Sequence, residues 1–329
     1  MKLWSRWVSL LDRREGGESL ALVRALTGAV VLFVLWHDWS IVEPLWLHVD
    51  HGGYRELSSS RWPIPLLGGC TPEVIYGLMT TCAVSAMLLT VGFLPRIAAL
   101  VCLQILLALT RINGHASGSD DLLITNALWL LVLSDSAATM SLWCRLKTGG
   151  WRSARRVTAW PRYLFIGQLV LLYGATGLQK VSAHWVPGGD LGALYYILQQ
   201  PAWMRRDLPW LADVYSLTQL ATLGTWLFEV GSPMLLIAYW YRATRQHSGR
   251  LRSLLNRLNF RTLFALTGIG MHIGIHVLMD IGPFSLITLA MYPALWHPDE
   301  WQGRLSRSSA PLSQSGPTSQ PEAPVRPGE

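Results

Sequence analysis

The sequence predicts an all-α fold, a polytopic integral membrane helical bundle of about eight transmembrane helices with both termini cytoplasmic. Three observations carry this. Hydrophobic residues make up 51% of the 329 and charged residues only 14%, where soluble domains carry about 25% charge. Several apolar runs approach the ~20 residues that a helix needs to cross hydrocarbon. The basic residues, finally, gather in loops between those runs.

Residues 1–19 read MKLWSRWVSLLDRREGGES, with charges throughout and no continuous apolar core, so they do not form a cleavable signal peptide. Trp4, Trp7, Leu3, Leu10 and Leu11 among arginines predict an amphipathic segment lying on the cytoplasmic membrane surface. The membrane domain spans 20–300. Its apolar runs are 20–39, 74–94, 97–111, 121–138, 162–180, 217–241, 262–279 and 281–296. The third and eighth are short for a full crossing and are expected to tilt or to start within the interface. Pro95-Arg96 and Asp280-Ile281-Gly282-Pro283 supply tight turns, since proline cannot donate the N–H that continues a helix. The tail, 301–329, is rich in Pro, Ser and Gly and is expected to be disordered on the cytoplasmic side.

The loops orient the chain. Segment 145–162 holds Arg145, Lys147, Arg152, Arg155, Arg156 and Arg162, and 242–261 holds six arginines; neither holds an acid. An excess of Lys and Arg marks the cytoplasmic side. The net charge of +7 is therefore a topology signal, not a nucleic-acid one. Cys70, Cys82, Cys102 and Cys144 show neither a disulfide framework nor metal-ligand spacing.

Against this apolar background the ionisable residues stand out. Lys180 ends the fifth run, and it is one of three lysines beside 24 arginines. A lysine at a helix end ordinarily snorkels to the headgroups. Lysine, unlike arginine, can also give up its proton when desolvated and so serve as a base. Glu229 lies in the middle of a run, where an acid costs about 2.5–3.5 kcal/mol and must face protein or water. Pro233, four residues on, frees the Glu229 carbonyl and is expected to kink the helix. His272 and His276, spaced i, i+4, share a helix face. They lack the glutamate of an HExxH site, so no metal is expected, and a proton relay or hydrogen-bonding role fits better. Asp120 and Asp121 open the fourth run, where they suit a helix N-cap or the mouth of a cavity shared with Lys180.

Four stretches then stand in order: SGSDDLL (117–123), YGATGLQKVSAHWVPGGDLGALYYIL (173–198), FEVGSPMLL (228–236) and MHIGIHVLMDIGPFSLI (271–287). In these the chain resembles the HTTM family, the membrane domain related to that of vitamin K-dependent gamma-glutamyl carboxylases. The resemblance implies that Lys180 deprotonates a reduced, vitamin K-like quinone, with His272, Glu229, Asp120 and Asp121 in support. Trp185, Tyr173 and His276 would contact the cofactor. In that chemistry O2 converts the quinol anion to a strong base, which removes a glutamate γ-proton before CO2 adds, a carbon–carbon lyase-type activity. The chain departs from the carboxylases in two ways. A disordered cytoplasmic tail is expected after the last span, where animal carboxylases carry a large lumenal portion, and Ser119-Asp120 stands where those enzymes carry an Asn-His pair.

The expected partners are the lipid bilayer, a lipophilic quinol and a peptide or protein substrate, with the site facing the non-cytoplasmic side. The alternative is a non-catalytic accessory or immunity protein of a peptide-export or antimicrobial-peptide system. It would act through loop 40–73 and the aromatic stretch 195–204. A transporter finds less support, because no inverted repeat is visible.

Overall fold

A computed structural model describes residues 4–5, 8–9, 12–48, 62–113, 117–243 and 246–301. Parts of the expected amphipathic segment and of loop 40–73, and nearly all of the expected disordered tail, lie outside the described residues. The protein is mostly helical, with one two-stranded sheet pairing β1 (Arg14–Glu15) and β2 (Val157–Thr158) antiparallel.

Each of the eight apolar runs contains helix. The helices are α1 (Glu18–Asp38), α2 (Pro72–Val91), α3 (Pro95–Thr110), α4 (Ser119–Leu133), α5 (Leu142–Thr148), α6 (Trp160–Gln179) and α7 (Ala193–Ile197). They continue as α8 (Tyr215–Val230), α9 (Met234–Ala243), α10 (Arg250–Arg257), α11 (Phe260–Leu278) and α12 (Phe284–Met291), the last extended by a 3-10 turn over Tyr292–Leu295. Three stretches, Glu18–Ile41, α2 and α11, are long and apolar enough to cross a membrane. The pair α8–α9 makes a fourth if its bent halves count as one span. The α3 and α12 helices are shorter, as expected from their runs.

Local chemistry sets the boundaries. Thr71 caps α2 by accepting the Val74 N–H, and Gly92 closes it in the left-handed conformation at φ +76°. Pro95 then occupies the first turn of α3, where its missing N–H has no intrahelical partner to lose. The 217–241 run is not one helix. It breaks over Gly231–Pro233 and its halves meet at 53°. Proline at 233 removes a helical donor, and the Glu229 carbonyl accepts the Ser232 N–H at 3.1 Å instead. The buried Ser232 hydroxyl donates to the Val170 carbonyl at 3.2 Å and fixes the bend to α6. The fourth run stops early, at Leu133, and Ser134 takes an extended backbone.

The core lies where α1 packs on α2 and α12, α3 on α2 and α4, and α6 on α8. The four cysteines are free thiols.

Polar bonds gather several distant segments at one end of the bundle. Arg162, at the start of α6, donates to both oxygens of Glu15 at 2.6 and 2.9 Å and to the Ala294 carbonyl at 3.2 Å. Arg261, at the start of α11, clasps both oxygens of Glu300 at 2.6 and 2.7 Å. The arginine-rich ends of α6, α9 and α11 thus adjoin the first and last described segments. Lys180 lies at the far end of α6.

Candidate functional site

Lys180 caps α6, and its N–H returns to the Gly177 carbonyl at 3.3 Å. Its side chain turns inward and is 19% exposed, so it does not snorkel. The ammonium donates to both carboxylate oxygens of Glu229, at 2.7 and 2.6 Å. It also sits 4.2 Å from the centre of the Trp185 ring, a cation–π contact. The turn Ser182–Val186 brings Trp185 back over the lysine, and the His184 carbonyl, accepting the Ala193 N–H, anchors that turn to α7.

Gly177 makes the pairing sterically accessible. A Cβ there would stand 2.7 Å from the Val230 nitrogen and 2.9 Å from the Glu229 Cβ. Only a residue without a side chain lets α6 and α8 come this close.

One turn deeper on the same helix, the buried Tyr173 hydroxyl bonds His272 Nε2 and the Tyr292 hydroxyl, each at 2.7 Å. His272 Nδ1 lies 3.3 Å from the Ser285 hydroxyl. Four side chains from α6, α11, α12 and the final 3-10 turn thus form a buried polar chain, Tyr292–Tyr173–His272–Ser285, inside the bundle. Phe228 and Phe264 stack at 4.5 Å and present their rings to Tyr173 edge to face. Gly268 leaves room for this group, since a Cβ there would collide with the Tyr292 hydroxyl.

An apolar groove of about 360 Å³ opens beyond Phe228, between α8 and α11. Gly224, Gly270 and Gly274 line it, and a Cβ at any of them meets nothing within 4 Å. The groove falls in the roughly 300–1,000 Å³ range of small-molecule sites, and its lining suits a lipophilic ring or chain. Phe228 belongs both to the groove wall and to the aromatic cluster, while Lys180 and Glu229 adjoin the groove only through their neighbours.

The structure thus brings together Lys180, Glu229 and Trp185, and separately Tyr173 with His272. His276 does not join either group; its Nδ1 is buried without a hydrogen-bonding partner among the described residues. Asp120 and Asp121 lie in the first turn of α4. Asp121 accepts the Gly118 N–H at 2.8 Å as a helix cap, and the charges of both act on Asp38. Together with Asp38 they form an acidic cluster at the ends of α1 and α4. Among the described residues no three His, Cys, Asp or Glu side chains are arranged to hold a metal ion.

Sequence reasoning missed Tyr292, Ser285, Phe228 and the groove. The spacing of Gly270 and Gly274, one turn apart on a single helix face, was the available signal for the groove.

No protein-family model matches the chain, and no curated protein or solved structure shows significant similarity to it.

Proposed function

We propose that this is a multi-pass membrane protein of the HTTM type that performs proton transfer on a lipophilic quinol, with Lys180 as the base. The observation that carries the reading is the bidentate Lys180–Glu229 pair, held beside an aromatic cluster and an apolar groove. A buried carboxylate facing a lysine gives the lysine a place to leave its proton. Transfer from Nζ to a Glu229 oxygen turns ammonium and carboxylate into amine and carboxylic acid, which removes both formal charges from the low-dielectric site while the net charge stays zero. The amine then carries a lone pair able to accept a second proton. A bound quinol supplies the acidic ring hydroxyl. Phe228 and the glycines of the groove would hold its apolar part, and the His272–Tyr173–Tyr292 chain offers a path for protons beneath it.

The topology of this reading has eight crossings, both termini in the cytoplasm and Lys180 facing the opposite side of a bacterial cytoplasmic membrane. Its support is that the arginine-rich 145–162 and 242–261 segments adjoin the first and last described segments at one end, while Lys180 sits at the other. Carboxylation of a peptide glutamate with O2 and CO2 is the furthest extension of the same scheme.

A second reading has one observation in its favour. The ammonium is fully engaged by Glu229 and Trp185, as in a clamp that fastens the 181–198 loop for a peptide or export partner. Mass spectrometry of solvent extracts from protein purified in mild detergent separates the two. The first reading expects near-stoichiometric quinone, lost on Gly270→Leu, which projects into the groove from a position where a Cβ meets nothing within 4 Å. A co-purifying peptide with no quinone would favour the clamp.

A further inference from the structure

A second cavity, of about 640 Å³, lies at the arginine-rich end of the bundle, far from Lys180. Five arginines line it: Arg13, Arg14, Arg162, Arg242 and Arg261. The acids on its wall are Glu15, Asp299 and Glu300, so the lining carries two more positive charges than negative ones.

The pairing within the cavity shows where that excess resides. Glu15 is taken by Arg162, and Glu300 by Arg261 with Arg242 at 3.5 Å. Asp299 lies 3.4 Å from His297. Arg13 and Arg14 are exposed and have no carboxylate partner among the described residues. Arg261 is only 6% exposed, yet its Nε–H finds no acceptor among the described residues. A buried guanidinium N–H without a partner is a donor still short of an oxygen.

The rim of the cavity is apolar. Leu236 and Trp240 of α9 are 49% and 63% exposed, and they lie on the cavity wall beside Tyr163 and Tyr239. A soluble anion has no use for such a rim, whereas an amphipathic one matches both parts of the lining. Arginine forks recognise phosphate oxygens, and basic pockets between helices on the cytoplasmic side suit anionic headgroups.

We propose that this cavity is a binding site for the phosphate headgroup of an anionic phospholipid, with an acyl chain lying along Leu236 and Trp240. The site is independent of the quinol reading, because none of its residues belongs to the Lys180 or Tyr173 groups. The phosphate answers Arg13, Arg14 and the spare Arg261 N–H, while the Arg162–Glu15 and Arg261–Glu300 pairs hold the walls in place.

The test uses the full chain in mild detergent and native mass spectrometry. Phosphatidylglycerol and phosphatidylcholine with identical tails are titrated separately, and inorganic phosphate is added as a competitor. The expected result is phosphatidylglycerol binding at least about tenfold tighter than phosphatidylcholine, undisturbed by millimolar phosphate. The double variant Arg13→Gln/Arg14→Gln should lose about tenfold in phosphatidylglycerol affinity and keep its lipid-free melting temperature. Arg152→Gln/Arg156→Gln removes two exposed arginines that do not line the cavity and should change nothing. Equal binding of the two lipids, an equal loss in both double variants, or no loss in the first would overturn the proposal. Displacement by inorganic phosphate would also overturn it, assigning the cavity to a soluble anion.

Discussion

Lys180 and Glu229 meet because Gly177, less than one turn before the lysine, lies against the backbone of Val230. The ion pair and the glycine are one device: close helix approach on α6 and α8 brings the carboxylate under the ammonium. The glutamate side chain is 8% exposed, so its partner is the main thing that makes its charge tolerable there.

Removing one half of the pair should therefore cost more than removing both. Glu229→Gln leaves the ammonium without a counter-charge and is expected to lower stability by about 3 kcal/mol. The double variant Lys180→Met/Glu229→Leu should recover most of that loss. Thermal melts of the purified protein in detergent check this, and additive losses in the double variant would count against coupling.

Gly177→Val should separate α6 from α8 and cost at least about 2 kcal/mol, with release of any bound quinone. Gly167 on the same helix supplies the control. A Cβ at 167 meets nothing within 4 Å, so Gly167→Ala should be neutral or stabilise by about 0.5–1 kcal/mol.

Tyr173→Phe keeps the aromatic packing and deletes the shared hydroxyl. His272 Nε2 and the Tyr292 hydroxyl then each lose a partner in a buried setting, at about 1–3 kcal/mol for each unsatisfied group. His272→Phe is expected to be less harmful than Tyr173→Phe, because it removes the ring nitrogens along with the bonds they need. A reversed order in paired melting curves would show that the hydroxyl chain is not the unit that holds these helices.

The acid limb of stability should report Glu300. Burial raises its carboxyl, but hydrogen bonds and charge from Arg261, aided by Arg242, outweigh that and hold it at about 2. Because the folded value lies below the unfolded one, this contribution is complete above the ordinary carboxylate value. It disappears as pH falls from about 4.5 towards 2. Glu300→Gln should flatten the melting-temperature curve across that window and lower it at neutral pH.

The helices were legible because apolar runs mark them and several boundaries carry their own local chemistry, as at Thr71, Pro95 and Gly92. Pro233 announced a distortion, though not that the helix would stop for three residues and be re-anchored through Ser232. Lys180 and Glu229 stood out individually because ionisable residues are expensive in apolar runs. Their pairing could not be read, since it joins positions 49 residues apart across two helices. The Tyr173–His272 bond spans 99 residues, and Tyr292 and Ser285 were hidden inside a run that reads as apolar. Asp120 and Asp121 were legible as the opening of a helix, whereas their nearness to Asp38 joins the ends of two helices far apart in the chain and could not be read.

The α6 helix is riveted at both extremities, to Glu15 through Arg162 and to Glu229 through Lys180. The two rivets stand about 27 Å apart at 1.5 Å per residue. A rod fixed this way cannot tilt without straining one fastening or the other. Its neighbour α8 is interrupted two residues past the acid that takes the upper rivet, and Ser232 pins that elbow to the middle of the same rod, so α6 is the post from which the bent pair hangs.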